Sequence, residues 1–102
     1  MRLLVIFDLP VKTKAQRKAA TKFRKFLLND GYYMVQYSVY VRICNGYDAI
    51  KKHETRLQQN APEYGSIRAL TVTENQYEKM KLILGKPFKK DEKQTNIQIS
   101  FF

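Results

Sequence analysis

Three observations on the 102-residue chain predict an α+β fold, a ferredoxin-like βαββαβ sandwich. Residues 3–7, LLVIF, are apolar without a break, as in a strand covered on both faces. Two long segments repeat their apolar residues at helical spacing, so each has one side to lay on a sheet. Between and after them stand β-rich runs, in the order βαβ(β)αβ(α)β. The length is that of one domain. The expected division is a domain over residues 1–85, then a linker and an extra C-terminal strand over 86–102, exchanged in a homodimer.

The first strand ends on Asp8, directly before Leu9-Pro10. Pro10 keeps Leu9 extended, so the first helix starts later. Thr13 and Gln16 have capping-box spacing, and Gly31 suits the left-handed position past the helix end, giving a helix from Thr13 to Asp30. Ala15, Ala19, Ala20, Phe23, Phe26 and Leu27 fall on one side; Lys14, Arg17, Lys18, Thr21, Lys22 and Lys25 fall on the other. One side is core and one is basic.

Residues 32–44, YYMVQYSVYVRIC, alternate with period two. No Gly, Pro or Asn interrupts them, so the pattern fits one bent strand or a tight hairpin equally. Asn45-Gly46 marks a turn. A second helix follows over about Tyr47 to Asn60 with Ala49, Ile50, His53 and Leu57 inward, ended by Pro62 and Gly65. Ser66 to Thr73 reads as a strand and Glu74 to Leu84 as a short helix closed by Gly85. The tail, with TNIQISFF at its end, is a polar linker and a strand over about Thr95 to Phe101. As a free edge that strand invites aggregation, and pairing with another chain removes the hazard.

Nineteen Lys and Arg against nine Asp and Glu give a formal charge of +10, the balance of a protein with a polyanionic partner. No segment has the length of a membrane span and no signal-peptide layout appears, so the expected compartment is the cytoplasm and no membrane is involved. A lone cysteine, Cys44, forms no internal disulfide. His53, on the apolar side of its helix, reads as a packing residue rather than a general base.

Asp8 has two readings. It shares parity with Leu4 and Ile6, which are as apolar as Leu3, Val5 and Phe7; the helix-free face is therefore covered too, most simply by a second copy. A twofold axis would then bring two Asp8 carboxylates together as oxygen ligands for a hard cation such as Mg²⁺. The plainer reading is a turn residue accepting local amides.

VIFDLP, TKFRKFLLNDGYYMVQYSVYVR and GSIRALTVTENQYEKM together resemble the CRISPR-associated protein Cas two family, in particular members from type II systems; residues 23–40 are the most specific part. The resemblance covers nearly the whole chain. It implies a ferredoxin-like homodimer whose C-terminal strand adds to the partner's sheet. It further implies a role in adaptation, in which the dimer bridges two dimers of the integrase Cas one while short foreign DNA is inserted into a CRISPR array. Many members are also assigned a metal-dependent nuclease activity on RNA or DNA, which integration does not need. The family's strand-end acid falls on Asp8, its metal ligand across the dimer axis. The aromatic and basic block falls on Phe23, Arg24 and Phe26, and the Gln-Tyr-Ser element on Gln36, Tyr37 and Ser38. The resemblance resolves residues 32–44 into two strands meeting near Gln36 to Ser38.

Residues 12–25 contain Lys12, Lys14, Arg17, Lys18, Lys22, Arg24 and Lys25 and no acid. A solvated helix face usually interleaves acids for pairing, so this one points to duplex phosphates rather than to base readout, with Lys12, Lys14, Arg17, Lys18, Lys22 and Lys25 as the contacts. Arg2, Arg42 and Arg68 either extend the patch or pair with carboxylates. YSVYVRIC lacks the Gly-aromatic pattern of an RNA-recognition motif. Two functions remain: an architectural subunit holding prespacer DNA and the CRISPR repeat, and a free-standing metal-dependent endoribonuclease of the toxin type.

Overall fold

The computed structural model describes residues 1–86. In chain order they form β1 (Arg2–Asp8), α1 (Lys14–Asn29), β2 (Tyr33–Gln36), β3 (Val39–Ile43), α2 (Tyr47–Asn60), β4 (Ser66–Val72) and a single-turn α3 (Glu74–Glu78). The expected C-terminal strand lies outside the described residues.

α1 starts where the capping box places it. Thr13 Oγ1 accepts from the Gln16 amide at 3.1 Å, and Gln16 Oε1 accepts from the Thr13 amide at 3.1 Å, so orphan donors at the helix start are satisfied both ways. Thr73 and Gln76 repeat the device at α3. Residues 32–44 are two strands joined through Tyr37 and Ser38, with Ser38 at φ +64° and a register irregularity between Met34 and Gln36. The turn thus uses a left-handed serine where sequence offers no glycine.

The four strands make one antiparallel sheet in the order β2-β3-β1-β4, the split βαβ arrangement. α1 and α2 cover one face. Leu3, Val5 and Phe7 meet Phe23, Leu27, Tyr40, Ile50 and Leu57 there, with Phe7 edge-on to Phe23 at 5.3 Å and stacked on Tyr40 at 5.6 Å. Ala15, expected inward, is exposed and lines a cavity with Leu9, Pro10 and Tyr64 at the end of β1.

Part of the second face of β1 is covered from within the chain. Leu4 joins Tyr33, Val41 and Tyr77 in a small second core, so α3 covers the Arg2–Leu4 half of the helix-free face. Among the described residues nothing covers the rest: Ile6 is 42% exposed, and Leu70, opposite Leu4 on the edge strand β4, is 56% exposed. α3 stops at Glu78, well before the expected Leu84, because Tyr77 is its one buried side chain while Met80 and Leu84 find nothing to pack on among the described residues.

Candidate nucleic-acid interface

β1 carries Asp8 to an end of the helix-free face that is exposed among the described residues. Its Cα partner on β4 is Ser66, and Ile6 is opposite Arg68, so Asp8, Ser66, Ile6 and Arg68 share one exposed patch. Arg68 forms no ion pair among the described residues. Parity places Asp8 on the helix-free face; Arg68, opposite Ile6, comes near it only through the β1–β4 register, which the sequence does not show.

Gly65 sets the shape of this end. It sits at φ +110°, and a Cβ there would stand 2.8 Å from the Asp8 carbonyl oxygen and 2.8 Å from Leu9 Cδ2. Only a residue without a side chain lets the loop before β4 press against the end of β1. Among the described residues no three His, Cys, Asp or Glu side chains gather to hold a metal.

The opposite layer carries the cations. Lys12, Lys14, Arg17, Lys18, Lys22 and Lys25 are all exposed, and none forms an ion pair among the described residues. Arg17 Nη1 donates to the carbonyls of Val11 and Lys12 at 3.1 Å each, which steadies the loop between β1 and α1. Arg24, bordering this flank, is half-buried. Its Nη2 donates to Tyr37 Oη at 3.2 Å, and its guanidinium lies over the rings of Tyr37 and Phe7. The Phe7 amide donates to the Ser38 carbonyl at 3.1 Å, tying the turn to the residue before Asp8.

The remaining candidates are structural. Arg2 is buried: its Nε donates to both Glu74 carboxylate oxygens at 3.1 Å, its Nη1 donates to Tyr33 Oη at 2.6 Å, and its guanidinium lies 4.1 Å from the Tyr77 ring centre. Burial opposes the charge, but Tyr33, Glu74 and Tyr77 outweigh it and the Arg2 pKa is raised. Arg42 Nε donates to the Asp30 carbonyl at 2.8 Å, closing the end of α1. His53 is buried with Nδ1 3.2 Å from Asp30 Oδ2, and Arg56 Nε donates to Asp30 Oδ1 at 2.8 Å, so Asp30 clamps α1 to α2. Cys44 is buried and unpaired. Among the described residues no helix is long and apolar enough to cross a membrane.

Residues 1–80 match the family model described as CRISPR associated protein Cas2. A protein of Acidovorax ebreus (strain TPSY), named CRISPR-associated endoribonuclease Cas2, is 57% identical over 102 residues, the full length of both chains. A protein of the same name from Ligilactobacillus salivarius (strain UCC118) is 47% identical over 89 residues, 87% of this chain and 88% of its own. The crystal structure of Streptococcus pyogenes Cas2 at pH 6.5 superposes with a TM-score of 0.64 at 28% identity, covering 83% of this chain and all of that one. A strand ending in an exposed aspartate, followed by an acid-free basic helix on the opposite layer, is thus set in a sequence similar to Cas2 along its whole length, and the chain belongs to the CRISPR-associated Cas2 family.

Proposed function

We propose that this chain is a nucleic-acid-binding architectural subunit of the CRISPR adaptation complex, working in the cytoplasm as a homodimer that holds double-stranded prespacer DNA and bridges dimers of the integrase Cas one. The observation that carries the reading is the flank of α1: its lysines stand exposed, with no acid among residues 12–25 to neutralise them. Lys12, Lys14, Arg17, Lys18, Lys22 and Lys25 hold phosphates, which fixes the position of the duplex without reading its sequence. Homodimer formation is supported by the apolar side chains of Ile6 and Leu70, exposed among the described residues on the helix-free face, which a twofold copy would bury.

A second reading, metal-dependent endoribonuclease, is favoured by the names of the relatives and by the exposure of Asp8. Two Asp8 carboxylates, one from each chain, would hold Mg²⁺, which supplies Lewis-acid polarisation of a phosphodiester and acidification of water. Asp8→Ala separates the two. Under the architectural reading the variant still supports spacer integration with Cas one and cuts neither RNA nor DNA; loss of integration with an intact dimer would overturn that reading in favour of the nuclease. Co-purification with Cas one followed by sizing tests the bridge, and Lys18→Glu with Lys22→Glu abolishes duplex binding if the flank is the contact surface.

A further inference from the structure

We infer that Tyr37, pinned by Arg24, is a stacking platform for one unpaired nucleobase, so that the nucleic acid reaching the Asp8 end arrives as a single strand or a splayed end. The inference rests on the nucleic-acid reading above and adds to it the form of the ligand and the residue that senses it.

Tyr37 is 76% exposed at the tip of the turn between β2 and β3, while Tyr32, Tyr33, Tyr40 and Tyr77 are buried. Tyr47 and Tyr64 are also exposed, but neither makes a hydrogen bond or ring contact among the described residues. Arg24 holds Tyr37 in two ways and is itself anchored on Phe7. Arg24 Nη2 donates to the Tyr37 hydroxyl at 3.2 Å, the Arg24 guanidinium carbon stands 5.4 Å from the Tyr37 ring centre, and the same carbon is 5.9 Å from the Phe7 ring. The turn is held in turn by the Phe7 amide on the Ser38 carbonyl, with Ser38 kept at φ +64°. A left-handed conformation costs free energy for a residue with a side chain, and Ser38 keeps it at the turn that carries the Tyr37 ring.

A ring already ordered loses little entropy when a base stacks on it, and such stacking tolerates any base because each has a π-face. Arg24 occupies one side of the ring and adds positive charge beside it. Arg17 and Arg24 are seven residues apart, nearly two helical turns, so they line the same side of α1. The platform therefore lies between the cationic flank and the strand end that carries Asp8. Phosphates held by the flank would leave the first unpaired base beside Tyr37, a placement a closed duplex cannot use because its bases stack on each other.

The full chain is titrated with a short single-stranded DNA carrying one fluorescent adenine analogue that is quenched by stacking, with the same strand bearing an abasic site in its place, and with a blunt duplex. The wild type quenches the analogue. Tyr37→Ala weakens single-strand binding about 10-fold and removes the quench, while duplex affinity moves by less than about 2-fold and the urea midpoint is unchanged. Tyr37→Phe keeps the ring without the hydroxyl bond and retains most of the quench, and the abasic strand binds wild type and Tyr37→Ala alike. Equal weakening of duplex and single strand, or no quench in the wild type, overturns the stacking assignment. A wild type that binds neither strand form overturns the proposed function itself; duplex binding with no effect of Tyr37→Ala overturns this inference alone.

Discussion

Gly65 lies so close against Asp8 that a methyl group on it would stand 2.8 Å from the Asp8 carbonyl oxygen. That oxygen belongs to the backbone of a sheet strand and has no flexible end to move aside. Gly65→Ala therefore meets both a left-handed conformation, worth about 1–2 kcal/mol, and an overpacking term of about 1–3 kcal/mol. The expected loss is roughly 2–5 kcal/mol, read from urea denaturation. A change below about 0.5 kcal/mol would mean that the loop before β4 is free to move away from β1.

Arg2 and Glu74 join the start of β1 to α3, and α3 is what covers Leu4. Glu74 is partly exposed, so screening reduces what the ion pair itself is worth; the larger cost of losing it is an Arg2 charge left buried beside Tyr33 and Tyr77. Glu74→Ala is expected to destabilise the fold by about 1–2 kcal/mol, with α3 the first element to lose hydrogen-exchange protection. Arg2→Met, which removes the charge as well, is expected to cost less than Glu74→Ala in the same urea measurement.

Tyr32 gives the pH dependence. Its hydroxyl is buried without a hydrogen-bond partner among the described residues, and burial, with Asp30 adding its charge, pushes the phenol pKa up. The unfolded chain then releases this proton at lower pH than the folded one. The stability concerned is fully present below the unfolded value of about 10 and is lost as pH rises from there toward the folded value. Tyr32→Phe removes the orphaned hydroxyl and is expected to stabilise the protein by about 1 kcal/mol at neutral pH. In alkaline urea titrations the variant falls less steeply than the wild type; parallel curves would show that the hydroxyl is hydrated.

What sequence made legible is what depends on neighbours along the chain. The Thr13–Gln16 box, the parity of Asp8 and the inward side of α2 at Ile50, His53 and Leu57 are short-range patterns, and the structure reproduces them. The apolar run of β1 was harder to interpret, because sequence does not say what covers each half of a face. Tyr77, far along the chain, covers one half, and the helix that delivers it is shorter than its spacing suggested. Arg2 and Arg42 could not be sorted from Arg68 by composition. Their partners, Glu74 and the Asp30 carbonyl, are fixed only by the folded sheet. The pairing of Arg24 with Tyr37 needed the hairpin to fold back beside α1.

The α1 flank makes a quantitative prediction about salt. If Lys18 and Lys22 each neutralise one phosphate, each releases about one counterion on binding, so Lys18→Ala with Lys22→Ala should lower the slope of log affinity against log salt by about 2. The loss should be uniform across duplex sequences, because phosphate contacts carry no base information. Lys51, on the wall of the groove between α2 and β4, is the control: Lys51→Ala removes a charge of the same kind from a different surface and leaves the slope where it was. Fluorescence anisotropy with a labelled duplex at stepped salt concentrations measures all three proteins. Equal slopes for the wild type and the α1 variant would remove these lysines from the interface, whereas a slope that drops for Lys51→Ala as well would show that the whole cationic surface, rather than one helix, meets the duplex.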